Sequence, residues 1–199
     1  MKLAAANLLP LNGYKFRRTT QVRWPIILLF AASGAWAQTG AVSAAAAANP
    51  LVASSKAFYM NAKQDILRSA DKMPEDKYAF RPIDTVRTYG QVLAHIADGQ
   101  YEFCGAAAGK QDDKSIEQTA KTKAAIVAAL KTAFAYCDEI YAGMTDAKAA
   151  ETIPAFGGAK MTRLGLLDFN VSHTMEHYGN LVTYMRIQGI VPPSSESQR

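Results

Sequence analysis

The chain has three histidines, and their spacing is that of a metal site built on helices. Two of them close the segment His173-Thr174-Met175-Glu176-His177, and His95 stands alone on an earlier apolar stretch. Side chains four residues apart on an α-helix return to one face, about 40° round and roughly 6 Å along the axis. Two imidazoles so placed reach one ion. A third from another helix completes a three-nitrogen set with positions open to water or substrate. Three buried histidines bonded to unrelated neighbours would leave the same pattern, but clustering them without a shared ligand costs desolvation. The metal reading is therefore preferred. Imidazole nitrogen suits zinc, nickel, copper and iron alike, so the pattern asks for a divalent ion without naming it.

Holding these residues requires helices, and the apolar periodicity supplies four. The first runs from about Leu51 to Met73, with Phe58, Ala62, Ile66, Ala70 and Met73 as its stripe, and Pro74 stops it. A capping box, Thr88-x-x-Gln91, opens the second, which continues to about Gly109 through Val92, Leu93, Ile96, Phe103 and Ala107. The third spans about Thr122 to Met144, with Ile126, Leu130, Phe134, Cys137, Tyr141 and Met144 in register. The fourth, about Thr162 to Gln188, is apolar on two stripes and so belongs in the middle of a bundle. No segment alternates with period two. The fold class expected is all-α, an antiparallel four-helix bundle over residues 51–189. The loop Pro154-Ala155-Phe156-Gly157-Gly158 reads as a connection, with a lid as the alternative.

What precedes the bundle reads as an address. Residues 1–23 hold Lys2, Lys15, Arg17, Arg18 and Arg23 and no acid; then come the apolar run Trp24 to Ala35 and the small-residue site Ala35-Trp36-Ala37. A run of 12 residues is too short for a permanent anchor. Residues 1–37 are thus expected to be a signal peptide cleaved before Gln38, by the general or the twin-arginine route. Residues 38–50 are expected to be a flexible Ala-rich linker, and 190–199, with Pro192-Pro193, an extended tail. The destination is the periplasm or the medium. Of 22 basic side chains five lie in the leader, leaving 17 against 17 acids, so the basic isoelectric point carries no implication of nucleic acid. Balanced charge also gives no hold on anionic lipid, so no stable membrane anchor is expected after cleavage.

These residues also carry a family resemblance. The stretch from Tyr78-Ala79-Phe80-Arg81-Pro82 through Thr88-Tyr89-Gly90-Gln91 to His95-Ile96-Ala97-Asp98 resembles the DinB-like (damage-inducible) four-helix-bundle family. In that family an aromatic-x-Pro loop enters a helix bearing a lone histidine. His173-x-x-x-His177-x-Gly179-Asn180 is similar to its second motif, His-x-x-x-His-x-Gly-Gln. The resemblance covers essentially the whole bundle and implies that His95, His173 and His177 are metal ligands. Tyr178 stands where the family often has arginine, and Asn180 where it has glutamine. The family includes transferases and isomerases that use small thiols, and its members are often homodimers, although no surface stripe here marks an interface.

Several side chains remain to be placed. Glu176 lies one helix step aside of the histidine face and is a weak candidate for a general base, with a solvated glutamate as the plainer reading. Asp98, three residues from His95, and Asn180 are candidates to hold a ligand ring by a hydrogen bond from behind, with a plain surface aspartate as the equal alternative at position 98. Cys104 lies nine residues from His95, on the opposite face, and so is not a fourth ligand. With Cys137 it makes a candidate disulfide, the alternative being two buried thiols. No phosphate loop, nucleotide fingerprint, haem motif or Ser-His-Asp arrangement is present. Two classes of function stand: a metal-dependent hydrolase or thiol-dependent transferase acting on a small molecule, or a non-catalytic metal- or small-ligand-binding bundle.

Overall fold

A computed structural model of the protein describes residues 48–196. The expected signal peptide, most of the linker and residues 197–199 lie outside that range. The described residues form α1 (Pro50–Lys72), α2 (Tyr89–Ala107), a short α3 (Ile116–Thr119), α4 (Lys123–Ala142), a short α5 (Asp146–Ala149), the strands β1 (Thr152–Pro154) and β2 (Lys160–Thr162), and α6 (Arg163–Ile187). The four long helices make an all-α bundle, and their ends fall within two residues of the periodic segments.

The ends are fixed by local chemistry. Thr88 and Gln91 form the reciprocal capping box that opens α2. Thr122 caps α4 and Thr162 caps α6 through their hydroxyls. At α1 the cap is borrowed: the Asp146 carboxylate accepts the Leu51 and Val52 amides, while Asn49 accepts the Asp146 amide.

Helix α2 packs between α4 and α6, and α1 closes the bundle against the same two helices. The bundle's middle is α2, of whose 19 residues 13 are buried, against eight of 25 in α6. The position expected for the fourth helix belongs to the second. Of the second stripe of α6, Tyr178 and Met185 are buried, while Leu164, Val171 and Val182 are only half-buried at the bundle's side. In α1 the expected stripe holds at Ala62, Ile66, Ala70 and Met73 and departs at one position. Phe58 is exposed, and Tyr59 takes its place in the core, where its hydroxyl donates to the Phe134 carbonyl and to Asp138. Burying tyrosine rather than phenylalanine is possible there because α4 supplies those acceptors.

Two further departures concern connections. The 152–162 segment is an antiparallel hairpin with Thr152 opposite Thr162 and Pro154 opposite Lys160. Its strands of three residues are too short to show period-two alternation. The described part of the expected tail is not free. Pro193–Ser195 form a 3₁₀ turn, the Ser194 amide donates to the Tyr178 hydroxyl, and Glu196 pairs with Arg68 and Lys72.

Between α2, α4 and α6 the core encloses polar groups. Cys104 and Cys137 are joined by a disulfide, their Cα atoms 5.5 Å apart. Beside it Asn170 donates to Gln100 Oε1 at 2.8 Å, and Gln100 donates to Thr174 at 3.0 Å. This chain of amides pins α6 to α2 immediately below the histidines.

Candidate metal centre

Antiparallel α2 and α6 bring residues 95, 99 and 103 opposite 177, 173 and 169, so all three histidines converge on one point. The Nε2 atom of His173 lies 3.1 Å from that of His95 and 3.1 Å from that of His177. Nitrogens about 2.0–2.1 Å from a tetrahedral ion stand roughly 3.3 Å apart, close to this spacing. Hydrogen bonding alone accounts for it poorly, because a single Nε2 offers either one proton or one lone pair and here faces two neighbours. The three rings meet edge to face, with centroids 4.5–5.0 Å apart.

The electrostatics favour the ligand form. Partial burial lowers the pKa of all three histidines, and for His173 burial followed by its two imidazole neighbours brings it down to about 4. The Arg87 guanidinium adds to the lowering at each ring. At neutral pH the cluster is therefore uncharged, as a divalent cation requires of its imidazoles.

A family model described as the DinB superfamily matches residues 60–181, which include all three histidines. The chain belongs to the DinB superfamily. Two solved structures share its fold. A DinB-like protein from Bacillus subtilis is 24% identical with a TM-score of 0.60, covering 76% of this chain and 100% of its own. Another, from Bacillus cereus ATCC 10987, is 17% identical with a TM-score of 0.59, covering 69% of this chain and 95% of its own. No curated protein matches the sequence.

In this DinB protein the group behind His95 is not the one expected. Asp98 accepts the Ile116 and Glu117 amides at 2.7 and 2.9 Å, fastening the start of α3. The carboxylate that faces His95 Nδ1 is Glu117, at 3.5 Å, and its other oxygen accepts from Arg87 Nε at 2.9 Å. One helix turn separates Asp98 from the imidazole in sequence, but its side chain is aimed sideways at the chain returning over α2. Asn180 is exposed and lines a cleft beside His177 without hydrogen-bonding a ring. The Nδ1 atoms of His173 and His177 are buried and have no partner. Glu176 is exposed, and its charge opposes the lowering of the His177 pKa. Tyr178 is buried and bonded to Ser194, so its side chain is directed away from the centre.

Two features of the centre lay outside the expectations. Glu117 sits in a polar stretch with no periodicity, and only the fold of the chain brings it to His95. Gly99 is the other. A Cβ built there would stand 2.9 Å from His173 Cε1, so the bare backbone of α2 makes room for the ligand ring. A glycine one turn beyond His95, inside a helix where it costs about 1 kcal/mol, was a readable sign of close approach.

The donor set fits a divalent ion. Among the described residues no carboxylate or thiol joins the three nitrogens. His177 opens onto a cleft of about 580 Å³ whose walls include Arg81, Arg87, Glu117, Asn180 and Tyr184.

Proposed function

We propose that this DinB protein is an exported, metal-dependent enzyme that acts on a small molecule, by hydrolysis or by transfer involving a thiol. The observation that carries the reading is the convergence of three neutral imidazole nitrogens beside an open cleft, with no fourth protein ligand. Structural sites are closed by four protein ligands, whereas catalytic ones keep a position free. A divalent ion held there supplies Lewis-acid polarisation and lowers the pKa of a bound thiol or water.

The chain's own groups narrow what remains. Both cysteines are tied in the disulfide, so a thiol must come from the substrate side. Glu117 is committed to Arg87 and His95 and is poorly placed to take a proton. Glu176, exposed and near enough for its charge to act on His95 and His177, keeps the role of candidate base. Arg81 and Arg87, paired with Asp84 and Glu117, are the cations in the cleft that a negatively charged substrate would meet. The lack of a base held against the cleft favours the second reading, a non-catalytic periplasmic metal- or ligand-binding protein.

Export rests on the basic, apolar and small-residue pattern of 1–37, and the disulfide suits an oxidising compartment. No helix among the described residues is long and apolar enough to cross a membrane. The mature protein, free or as a homodimer, is read as periplasmic or secreted, with no nucleic-acid partner.

The test is elemental analysis of protein purified without chelators. About one divalent ion per chain is expected, lost in His173→Ala and His177→Ala. Absence of metal, with no uptake of added zinc or nickel, refutes the reading. For a catalytic centre the chelated protein stays helical, since the core is apolar and crosslinked without the ion; unfolding on chelation marks the ion as structural.

A further inference from the structure

The groove between α2 and α6 is polar on only one side of the histidines. On the other side, Phe103 packs against the His173 ring with centroids 5.1 Å apart, Phe169 against Phe103 at 5.0 Å, and Phe156 against Phe169 at 4.7 Å. Phe103 sits two helix turns beyond His95, and Phe169 one turn before His173, on the faces that carry the ligands. Phe156 comes from the hairpin tip. At the foot of the hairpin Arg163 donates to the Ala107 carbonyl at the end of α2 and to Glu151, and at the tip Phe156 meets Phe103 and Phe169.

This shelf is wet. Phe156 is 44% and Phe169 37% exposed, while Phe103 beneath them is 6% exposed. Single exposed apolar side chains are ordinary and require no explanation. A continuous run of three rings that begins against a ligand imidazole is different, since apolar walls beside a few convergent polar groups are how small-molecule sites are built. Beyond the tip, Gly157 and Gly158 have positive φ (66° and 76°), and a side chain there would meet nothing within 4 Å. The hairpin tip is therefore not packed against by the rest of the described chain, and the exposed faces of Phe156 and Phe169 are what a ligand would meet.

We infer that the Phe103–Phe156–Phe169 shelf binds the apolar part of the substrate, a phenyl-sized ring or short alkyl chain attached directly to the group that meets the metal. The inference rests on the metal reading above and adds the substrate class: a molecule polar at one end and apolar next to it, rather than a wholly hydrophilic one. The opposite end of the groove, with Arg87 and Asn180, takes what is polar.

The probes are two ligands with the same metal-binding group, acetohydroxamic acid and benzohydroxamic acid, titrated into the full-length mature protein loaded with cobalt(II). The visible spectrum of the ion reports occupancy. The phenyl ligand should bind at least about tenfold tighter, the worth of roughly 60 Å² of apolar surface removed from water. In Phe156→Ala and in Phe169→Ser the ratio of the two affinities should fall towards one, with cobalt content unchanged. Cobalt uptake with equal affinities in the unsubstituted protein overturns the shelf and leaves the metal centre standing. Failure to take up cobalt removes the metal reading and the shelf with it. A ratio that survives both substitutions overturns the assignment. So does a change of sedimentation in Phe156→Ala without a change of ratio, since the shelf then joins two copies of the chain.

Discussion

Two polar clusters lie between α2 and α6, barely one helix turn apart, and they are built on opposite rules. In the inner one Gln100, Asn170 and Thr174 spend their donors on one another, and the disulfide beside them ties α2 to α4. Only the Asn170 Oδ1 atom is left without a partner there. In the outer one three imidazoles turn their Nε2 atoms towards a common point where no protein group waits. The inner cluster holds two helices at a fixed separation; the outer one uses that separation. A polar group that is satisfied by protein is explained by stability, whereas several that converge on nothing are explained by what they bind. The first cluster should therefore govern stability and the second metal affinity, with little crossover.

The largest effect expected is on the inner side. The disulfide spans 33 residues, and closing a loop of that length restricts the unfolded chain by about 3–4 kcal/mol in the chain-entropy description. Cys104→Ala with Cys137→Ala should lower unfolding free energy by that order in denaturant titration. The doubly substituted protein, once folded, should still bind about one ion per chain. If metal stoichiometry falls while the fold survives, the two clusters are not separable.

Legibility in the sequence divides along the same line. Helix ends were readable because their signals are local: a capping box at Thr88, threonines at 122 and 162, a proline at 74. The histidine pair was readable because helical spacing is fixed, and His95 because so few alternatives existed. Contacts set by chain return were not. Glu117 reaches His95 only because Asp98 fastens α3 across α2, and neither the polar stretch around 117 nor the spacing from 95 announces it. Asp98 stood as a candidate partner of His95, with a surface aspartate as the equal alternative, because sequence distance was all there was to judge by. In the same way Phe58 and Tyr59 differ by 100° of helix, and only the acceptors on α4 decide which of them is buried.

A smaller effect sharpens the outer cluster. Glu117→Gln keeps the shape of the side chain but removes the charge that faces His95 and holds Arg87. Substituting groups that orient a ligand ring typically costs 10–100-fold in metal affinity. A loss in that range is expected for zinc, read by competition with a chromophoric chelator, with the unfolding midpoint of the chelated protein nearly unchanged. Asp98→Ala should reproduce part of it by releasing α3, and the two together should cost less than their sum. Full additivity would mean that Asp98 acts on the centre by some other route.

The smallest effect is the one that best separates binding from stability. At Gly99 two terms oppose each other. Alanine is favoured over glycine in a helix interior by about 1 kcal/mol, which raises stability. Its methyl group, however, would stand 2.9 Å from His173 Cε1 and 3.1 Å from Nδ1, so the ring must tilt by several tenths of an ångström. In the chelated protein His173 Nε2 is held only by its 3.1 Å contacts with the other two imidazoles, and the tilt costs less than it does against a bound ion. With an ion bound, the same tilt moves one of three ligands off its point. Gly99→Ala should therefore leave the chelated protein as stable as before or slightly more so, while zinc affinity drops by about tenfold or less, within the range that orienting groups control. A drop in stability of the chelated form with unchanged affinity would reverse the assignment, making Gly99 a packing residue of the bundle and not part of the metal centre.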